Sequence, residues 1–195
     1  MRLLLLRHGR TTAPPGALIG SRDDPPLSDE GRDQARAAAA LLHGRPLSAV
    51  VSSPLRRARE TAALAVPETA PRIDPRLQEL DWGRLTGLTF SQVEERFPEA
   101  AAAWLRDGWP SPPGGEQPQA LWRRTAAAVL DLQASALDGD VLLVCHGGVI
   151  RAIAGAARGL GLADAWRVRT PHASLRVQRV TPLALARWRA VGEVP

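Results

Sequence analysis

The sequence predicts an α/β fold built around a largely parallel sheet. Short apolar strands alternate with longer helical segments along the 195 residues, an order typical of layered α/β proteins. One candidate strand, Val141–Cys145, is apolar throughout, which indicates burial on both faces, as in parallel sheets. No repeat, low-complexity segment or interdomain linker interrupts this order. We therefore expect residues 1–195 to form a single domain.

Local signals place the elements of the first half of the chain. Ser28 is a good N-cap, and Asp29 and Glu30 follow it where the helix dipole favours acidic side chains. Ser53-Pro54 matches an N-cap followed by proline at the first helical position. The predicted elements are a strand at Leu3–Leu6, a helix from Ser28 to Leu42, a strand at Leu47–Val51, a helix at Leu55–Leu64 and a short strand at Arg72–Asp74.

The second half begins with a capping box, in which Thr89 and Gln92 start a helix. Gly108–Pro118 is rich in proline and glycine and is predicted to form an ordered loop or lid. The predicted elements are helices ending near Arg96, at Pro98–Leu105 and at about Pro118–Ala136, a strand at Val141–Cys145, a helix near Val149–Arg158, and a closing hairpin of Ser174–Val180 and Leu183–Trp188.

The charge pattern argues against a nucleic-acid partner. All 25 basic residues are arginines, and with 20 acidic residues they give a formal net charge of +5. They are interleaved with Asp and Glu and form no basic block, so we expect small anions as ligands. The chain has one cysteine and no apolar run long enough for a signal-peptide core or a membrane span. We therefore expect no disulfide, no membrane partner and a cytoplasmic location.

Polar side chains follow three of the predicted strands, at the sheet edge where parallel α/β proteins bind ligands. In chain order these groups are Arg7-His8, Ser52-Ser53 and His146. Arg57 lies in the first turns of the helix after Ser53, and Gly147-Gly148 opens a helix whose free N–H groups favour an anion. Two histidines, two arginines and a helix N-terminus around one crevice predict a phosphate site.

The chemistry of these residues points to phosphoryl transfer. A guanidinium such as that of Arg7 holds two phosphate oxygens in a fixed fork, and the imidazole of His8 can be phosphorylated. Glu79, in an irregular segment, is the natural source of a proton for a leaving alcohol. No cluster of His, Cys and Asp has the spacing of a metal site, so we expect neither a metal nor another cofactor.

Four ordered motifs resemble those of the histidine phosphatase (phosphoglycerate mutase-like) superfamily. They are Arg7-His8-Gly9, Ser53-x-Leu55-x-Arg57-Ala58-x-x-Thr61-Ala62, Glu79 and His146-Gly147. The resemblance runs from the first strand to beyond His146 and implies a three-layer α/β/α sandwich. It implies that His8 is the phosphohistidine nucleophile, that Glu79 is the proton donor, and that the phosphoryl oxygens are held by Arg7, Arg57 and His146. Thr11 matches a small hydroxyl position that adds a hydrogen bond.

Two positions depart from the pattern of many members. These members carry Glu or Gln directly after the signature glycine and Asn five residues after it, whereas this chain has Arg10 and Pro14. Because Pro14 has no side-chain donor, that phosphate contact is absent or comes from another group. Arg10 is one candidate for that group, and a solvated Arg10 is the alternative.

Several segments resemble the α-ribazole phosphatase branch of the superfamily. They are Ile19-Gly20, Pro26-Leu27-Ser28 with Gly31, Phe97–Ala100 with Trp104-Leu105, Pro112–Glu116, and Leu121-Trp122 with Arg124. The usual Ser after the Gly-Gly-Glu triplet is Gln117 here. In this branch Glu116 would bind the substrate, by accepting hydrogen bonds from a ribose hydroxyl or by disfavouring further phosphates. The alternative is that Glu116 only charges the turn before the next helix.

These features predict a phosphomonoester hydrolase that acts through a phosphohistidine on a small phosphorylated metabolite. The first substrate candidate is α-ribazole 5′-phosphate, used in cobalamin assembly. The alternatives are a broad-specificity sugar or nucleotide phosphatase, a phosphoglycerate mutase-like enzyme, or a non-catalytic phosphate-binding protein on the same fold. A proton donor favours the enzyme, and a homodimer is left open. Further candidates for the pocket rim are His172, Trp82 and Trp104.

Overall fold

The computed structural model describes residues 1–135 and 139–193. Its five strands are β1 (Arg2–Arg7), β2 (Leu47–Ser52), β3 (Arg72–Ile73), β4 (Asp140–Cys145) and β5 (Leu175–Arg179). They form one sheet in the order β3-β2-β4-β1-β5. The first four are parallel, and only β5 runs antiparallel, beside β1. The predicted α/β fold with a largely parallel sheet is confirmed.

Helices cover both faces of this sheet. In the described part of the chain they are α1 (Asp29–Leu42), α2 (Arg56–Ala65), α3 (Phe90–Arg96), α4 (Pro98–Asp107), α5 (Pro118–Ala134), α6 (Gly147–Arg158), α7 (Leu162–Trp166) and α8 (Pro182–Glu193). None of these described helices is both long and apolar enough to cross a membrane.

The alternation of side chains along β1 builds the two halves of the core. Leu3 and Leu5 pack into a cluster with residues of α5, α6 and α8. Leu4 and Leu6 point to the other face and pack with residues of α1 and α2. All four leucines are fully buried. The sheet is therefore the middle layer of the three-layer α/β/α sandwich that the resemblance implied.

Two helix starts follow the predicted capping chemistry. The Ser28 side chain accepts a hydrogen bond from the Gly31 N–H at 3.1 Å. At α3, Thr89 Oγ1 accepts from the Gln92 N–H, while Gln92 Oε1 accepts from the Thr89 N–H. The Ser53 cap prediction is wrong, because α2 begins at Arg56 with Leu55 as its N-cap.

The predicted closing hairpin is wrong in its second half. β5 lies within Ser174–Val180 as expected, but Leu183–Trp188 belongs to α8. The helix starts because Thr181 Oγ1 accepts from the Ala184 N–H at 3.1 Å and Pro182 suits a first helical position. It buries Trp188 completely, with Nε1 donating to the Ile153 carbonyl at 3.2 Å. The helix predicted at Pro118–Ala136 is observed to Ala134, and Ala136 lies outside the described residues.

Candidate active site

Parallel pairing of β1 and β4 brings the two motif histidines together. The His8 N–H donates to the Cys145 carbonyl at 3.0 Å, which continues the pairing one residue past β1. The rings of His8 and His146 lie 5.1 Å apart between centroids. Both residues are buried. Histidines 138 positions apart in the chain therefore meet because each ends one of two adjacent strands.

The surroundings of His8 fix which of its nitrogens can act as a nucleophile. Nδ1 lies 2.8 Å from the Gly9 carbonyl oxygen, which can only accept a hydrogen bond. We therefore assign the proton to Nδ1, which leaves the lone pair on Nε2. Burial, and then the positive charges of Arg57 and Arg7, hold the pKa of His8 well below its ordinary value. The imidazole is neutral near pH 7, as a nucleophile requires.

His146 is oriented by a serine at the end of β2. His146 Nε2 lies 2.8 Å from Ser53 Oγ, and this oxygen already accepts a hydrogen bond from the Leu55 N–H. The Ser53 hydroxyl is thus free to donate its own proton to Nε2, and we assign the imidazole proton to Nδ1. Burial and the nearby Arg57 lower the pKa of His146, so this ring is also neutral. Ser53 serves the site, where the sequence suggested a helix cap.

Two arginines flank the histidines, Arg57 buried and Arg7 partly buried. Arg7 Nη1 donates to the Thr170 carbonyl at 2.5 Å. Arg57 uses both of its Nη groups on the preceding loop, donating to the carbonyls of Asp23 and Gly20 at 2.9 Å each. These contacts fix both guanidinium groups in orientation before any ligand binds. Burial lowers the pKa of each arginine, and the charge of Glu79 opposes that shift.

Several buried polar atoms around His8 have no hydrogen-bond partner in the described part of the chain. They are Arg7 Nε, Arg57 Nε, His146 Nδ1 and Thr170 Oγ1. Leaving a buried polar atom unpaired costs about 1–3 kcal/mol. All four can donate a hydrogen bond. Four unpaired donors beside one neutral histidine favour a ligand with several acceptor oxygens, which a phosphoryl group provides.

Glu79 is held against the start of α6. Its Oε1 accepts from the Leu80 N–H at 2.9 Å, and its Oε2 accepts from the Gly148 N–H at 3.1 Å. A Cβ atom on residue 148 would lie 2.3 Å from Glu79 Oε1, so a side chain at this position would displace the carboxyl group. The carboxyl group consequently occupies a fixed place at the start of α6.

A pocket of about 520 Å³ opens above these groups. Of the predicted site residues, its walls contain Arg7, His8, Thr11, Arg57, Glu79 and Gly147. His146 is fully buried beside His8 and does not itself line the pocket. An apolar wall is formed by Ala17, Leu18, Ile19 and Trp82. Among the described residues, no three His, Cys, Asp or Glu side chains converge to hold a metal ion.

Glu116 is the predicted site residue that the structure does not bring to the pocket. Its carboxylate forms a two-point ion pair with Arg124, at 2.6 and 2.8 Å, and it is not part of the pocket wall. This contact favours the alternative that Glu116 has a role within the protein, and its contact with substrate stays a prediction. Arg10 and Pro14 both line the pocket, and Arg10 Nη1 also pairs with Glu30 at 2.7 Å.

Two of the three residues predicted at the pocket rim line the pocket, and the third packs behind it. His172 lines the pocket, with its ring centroid 5.5 Å from that of His8, and burial lowers its pKa to about 4. Trp82 also lines the pocket. Trp104 lies behind it and stacks on the Trp82 ring at 5.3 Å. Cys145 is buried in β4, where burial raises the pKa of its thiol, so it is an unreactive strand residue.

Sequence reasoning missed two residues of the site, Arg151 and Thr170. Arg151 lies four residues after Gly147 in α6, so helical spacing puts both on one face, and both line the pocket. This four-residue spacing is the sequence signal that could have identified Arg151 as a site residue. Thr170 lies in the loop before β5 and contacts Arg7 across 163 positions of sequence. No local pattern marks it.

Comparison with known proteins identifies the family of this chain. The sequence profile of the histidine phosphatase superfamily (branch 1) matches residues 3–186. The chain belongs to the histidine phosphatase superfamily. Several relatives carry phosphatase names, and the chain is a phosphatase of this superfamily.

Histidine phosphatases of two named activities are similar to the chain. The glucosyl-3-phosphoglycerate phosphatase of Mycolicibacterium vanbaalenii is 40% identical over 176 residues, covering 86% of this chain and 78% of that protein. The adenosylcobalamin/α-ribazole phosphatase of Salmonella typhimurium is 32% identical over 173 residues, covering 87% and 85%. The structure of a mycobacterial glucosyl-3-phosphoglycerate phosphatase superposes with a TM-score of 0.81 at 36% identity, covering 90% and 88% of the two chains.

Proposed function

We propose that this phosphatase transfers the phosphoryl group of a small phosphomonoester to Nε2 of His8 and then to water. In the first step the Nε2 lone pair attacks phosphorus and the P–O bond to the leaving alcohol breaks. Glu79 gives its proton to the departing oxygen. In the second step water attacks phosphorus, the P–N bond breaks, and Glu79 takes the proton of the water. Inorganic phosphate then leaves.

The observation that carries this proposal is the set of four unpaired buried donors around the neutral His8. The transferred phosphoryl group has three oxygens that keep negative charge throughout the reaction. Arg7 and Arg57 provide fixed positive charge for these oxygens, and His146 Nδ1 provides a third donor. Contacts with protein carbonyls fix the orientation of both arginines before a substrate binds. Such preorganised donors and charges are the condition for strong electrostatic stabilisation of a transition state.

Replacing His8 tests this proposal. His8→Ala should lower kcat for p-nitrophenyl phosphate by about three orders of magnitude or more, because the nucleophile is lost. The control is His43→Ala, an exposed histidine at the end of α1, which should leave kcat unchanged. Both variants should keep the cooperative unfolding transition of the parent. A His8→Ala enzyme that keeps a tenth of the parent activity would contradict nucleophilic catalysis.

Arg151 supports a substrate with a second negative charge. Its Nε donates to the Val168 carbonyl at 3.1 Å, and its guanidinium packs over the Trp166 ring at 5.3 Å. In the described part of the chain its Nη groups have no hydrogen-bond partner, and the residue lines the pocket. Arg7 and Arg57 are enough for one phosphoryl group. A third rigid guanidinium beside them suits a carboxylate on the leaving group.

This charge favours glucosyl-3-phosphoglycerate, or a similar carboxylated phosphoester, as the substrate class. The glycerate part of such a compound places a carboxylate a few atoms from its phosphate. The α-ribazole 5′-phosphate candidate has a specific observation in its favour as well. Its apolar aromatic base suits the wall of Leu18, Ile19 and Trp82, but its neutral leaving group gives Arg151 no partner. We therefore rank it second.

Two substrates that differ in the carboxylate, 3-phosphoglycerate and glycerol 3-phosphate, separate the carboxylated substrate class from the neutral one. Arg151→Gln should lower kcat/KM for 3-phosphoglycerate roughly tenfold or more, because one charge-assisted hydrogen bond is lost, and should change glycerol 3-phosphate less than about threefold. Arg158→Gln, on the exposed end of the same helix, is the control. Glucosyl-3-phosphoglycerate should have the highest kcat/KM of the panel. A parent enzyme that prefers α-ribazole 5′-phosphate, with no effect of Arg151→Gln, would overturn the carboxylate assignment.

A further inference from the structure

Arg124 in α5 is the centre of a hydrogen-bond network outside the pocket. Its Nε donates to Glu116 Oε1 at 2.6 Å and its Nη2 donates to Glu116 Oε2 at 2.8 Å. Both side chains are about four-fifths buried, with 21% and 18% of their surface exposed. An arginine and a carboxylate in this parallel two-point contact have a fixed mutual orientation.

The remaining donors of Arg124 hold the segment that carries Glu79. Nη1 donates to the Arg76 carbonyl at 2.6 Å and to the Gln78 carbonyl at 2.7 Å. Nη2 donates to the carbonyl of Glu79 itself at 3.2 Å. With the two bonds to Glu116, all five N–H groups of the guanidinium are used. The Arg76 carbonyl lies in a short helical turn, Pro75–Leu77. The carbonyls of Gln78 and Glu79 lie in the irregular segment that follows this turn and extends to Trp82.

We infer that Arg124, oriented by Glu116, is the positioning residue for the proton donor of the reaction. The inference rests on the proposed role of Glu79. The carboxylate of Glu79 is fixed at its tip by the Leu80 and Gly148 N–H groups, and its backbone is fixed by Arg124. Removing Arg124 frees the backbone of an irregular segment, and the carboxylate then loses its fixed distance to the leaving oxygen. Neither Glu116 nor Arg124 lines the pocket.

The positioning role of Arg124 predicts how the rate depends on the leaving group of the substrate. An alkyl alcohol leaves phosphorus only with a proton, whereas p-nitrophenolate leaves without one. Loss of a positioned general acid therefore slows alkyl phosphates much more than p-nitrophenyl phosphate. A general loss of structure slows both substrates to the same degree.

The test measures kcat/KM, which covers the steps up to the first phosphoryl transfer, for p-nitrophenyl phosphate, phenyl phosphate and glycerol 3-phosphate in five variants. Arg124→Gln should lower kcat/KM for glycerol 3-phosphate roughly tenfold or more and kcat/KM for p-nitrophenyl phosphate less than about threefold. Glu116→Gln should show the same selectivity to a smaller degree, and it decides the matter if Arg124→Gln does not fold. Arg124→Lys should not restore activity on glycerol 3-phosphate, because an ammonium cannot make the forked contacts.

The control for ion-pair loss is Arg2→Gln. Arg2 makes a similar two-point contact with the buried Asp140, at 2.6 and 3.0 Å, but at the opposite end of the strands. Its leaving-group dependence should equal that of the parent. Glu79→Gln calibrates the test, because it removes the acid itself. If Glu79→Gln shows no leaving-group selectivity, the proposed role of Glu79 fails. If Glu79→Gln is selective but the Arg124 and Glu116 variants slow all substrates equally, the positioning role alone is overturned.

Discussion

Glu79 Oε2 accepts a hydrogen bond from the Gly148 N–H at 3.1 Å, which joins the proton donor to the helix that follows His146. The contact links two motifs that are 69 positions apart in the chain. It also explains the second glycine of the His146-Gly147-Gly148 sequence, since a side chain at position 148 would collide with the carboxylate.

Gly148→Ala should therefore displace the carboxylate of Glu79. We expect kcat/KM for an alkyl phosphate to fall roughly tenfold or more, and kcat/KM for p-nitrophenyl phosphate to fall less. Gly161→Ala is the matched control, because a Cβ atom there meets nothing within 4 Å. An alanine at 148 that leaves turnover of alkyl phosphates intact would show that Glu79 does not need this position.

Ser53→Ala should impair the orientation of His146. The change removes the hydroxyl at 2.8 Å from Nε2 and leaves a buried imidazole nitrogen unpaired, at a cost of about 1–3 kcal/mol in unfolding free energy. We expect kcat to fall about tenfold, because the Nδ1 proton is then no longer fixed toward the phosphoryl group. Ser52→Ala is the control, since this buried hydroxyl donates to the Ser53 carbonyl and not to the histidine. Equal kcat values in the two variants would contradict the assignment.

Stability should fall as the pH drops below the ordinary histidine pKa of 6.5. The pKa values of His8 and His146 are lowered well below it in the folded state, and that of His172 is lowered to about 4. Above pH 6.5 the three rings are neutral in both states and contribute no pH dependence. Below it the unfolded chain binds protons that the folded chain does not, so unfolding becomes easier by up to about 1.4 kcal/mol per pH unit for each ring.

Urea titrations at several pH values between 7.5 and 5 measure this effect. Carboxyl groups such as those of Asp74 and Glu60, whose pKa values are also lowered, act in a more acidic window, near their own ordinary values. His172→Asn should reduce the slope of stability against pH by about a third between pH 6 and 5, because one ring of three is removed. A stability that stays constant from pH 7 to 5 would contradict the buried, neutral state of the rings.

Turnover should need no added metal ion. Arg7 and Arg57 provide the positive charge, and together with His146 they provide the donors, that a divalent ion provides in other phosphatases. Treatment with a chelator should therefore leave kcat for p-nitrophenyl phosphate unchanged. A rate that collapses with chelator and recovers with a divalent ion would refute this expectation.

The site residues at the strand ends could be predicted from the sequence, because the apolar run of a strand and the polar residues that follow it are both local signals. Apolar runs mark the buried strands, and parallel strands present their carboxyl ends at one edge, so Arg7-His8, Ser53 and His146 had to meet. The structure brings them together as expected, with Arg57 and Glu79 beside them. The roles proposed for these residues stay predictions until the variants are measured.

The remaining features depend on contacts that no local pattern carries. Thr181-Pro182 suggests a turn that makes Leu183–Trp188 the second strand of a hairpin, but burial of Trp188 against α6 favours a helix. The resemblance to the α-ribazole phosphatase branch suggested that Glu116 binds substrate, whereas the sequence does not show that its ion-pair partner is Arg124, eight residues away. Charge patterns alone could not tell an ion pair inside the protein from a contact with substrate.

The central claim is that the phosphoryl group passes through His8, and the stereochemical course at phosphorus tests it most directly. A phosphate ester whose phosphorus is made chiral with sulfur and oxygen isotopes is hydrolysed by the parent enzyme, and the configuration of the product is determined by NMR. Two in-line displacements, one by His8 and one by water, predict overall retention of configuration. Inversion would mean a single direct attack by water and would contradict the account.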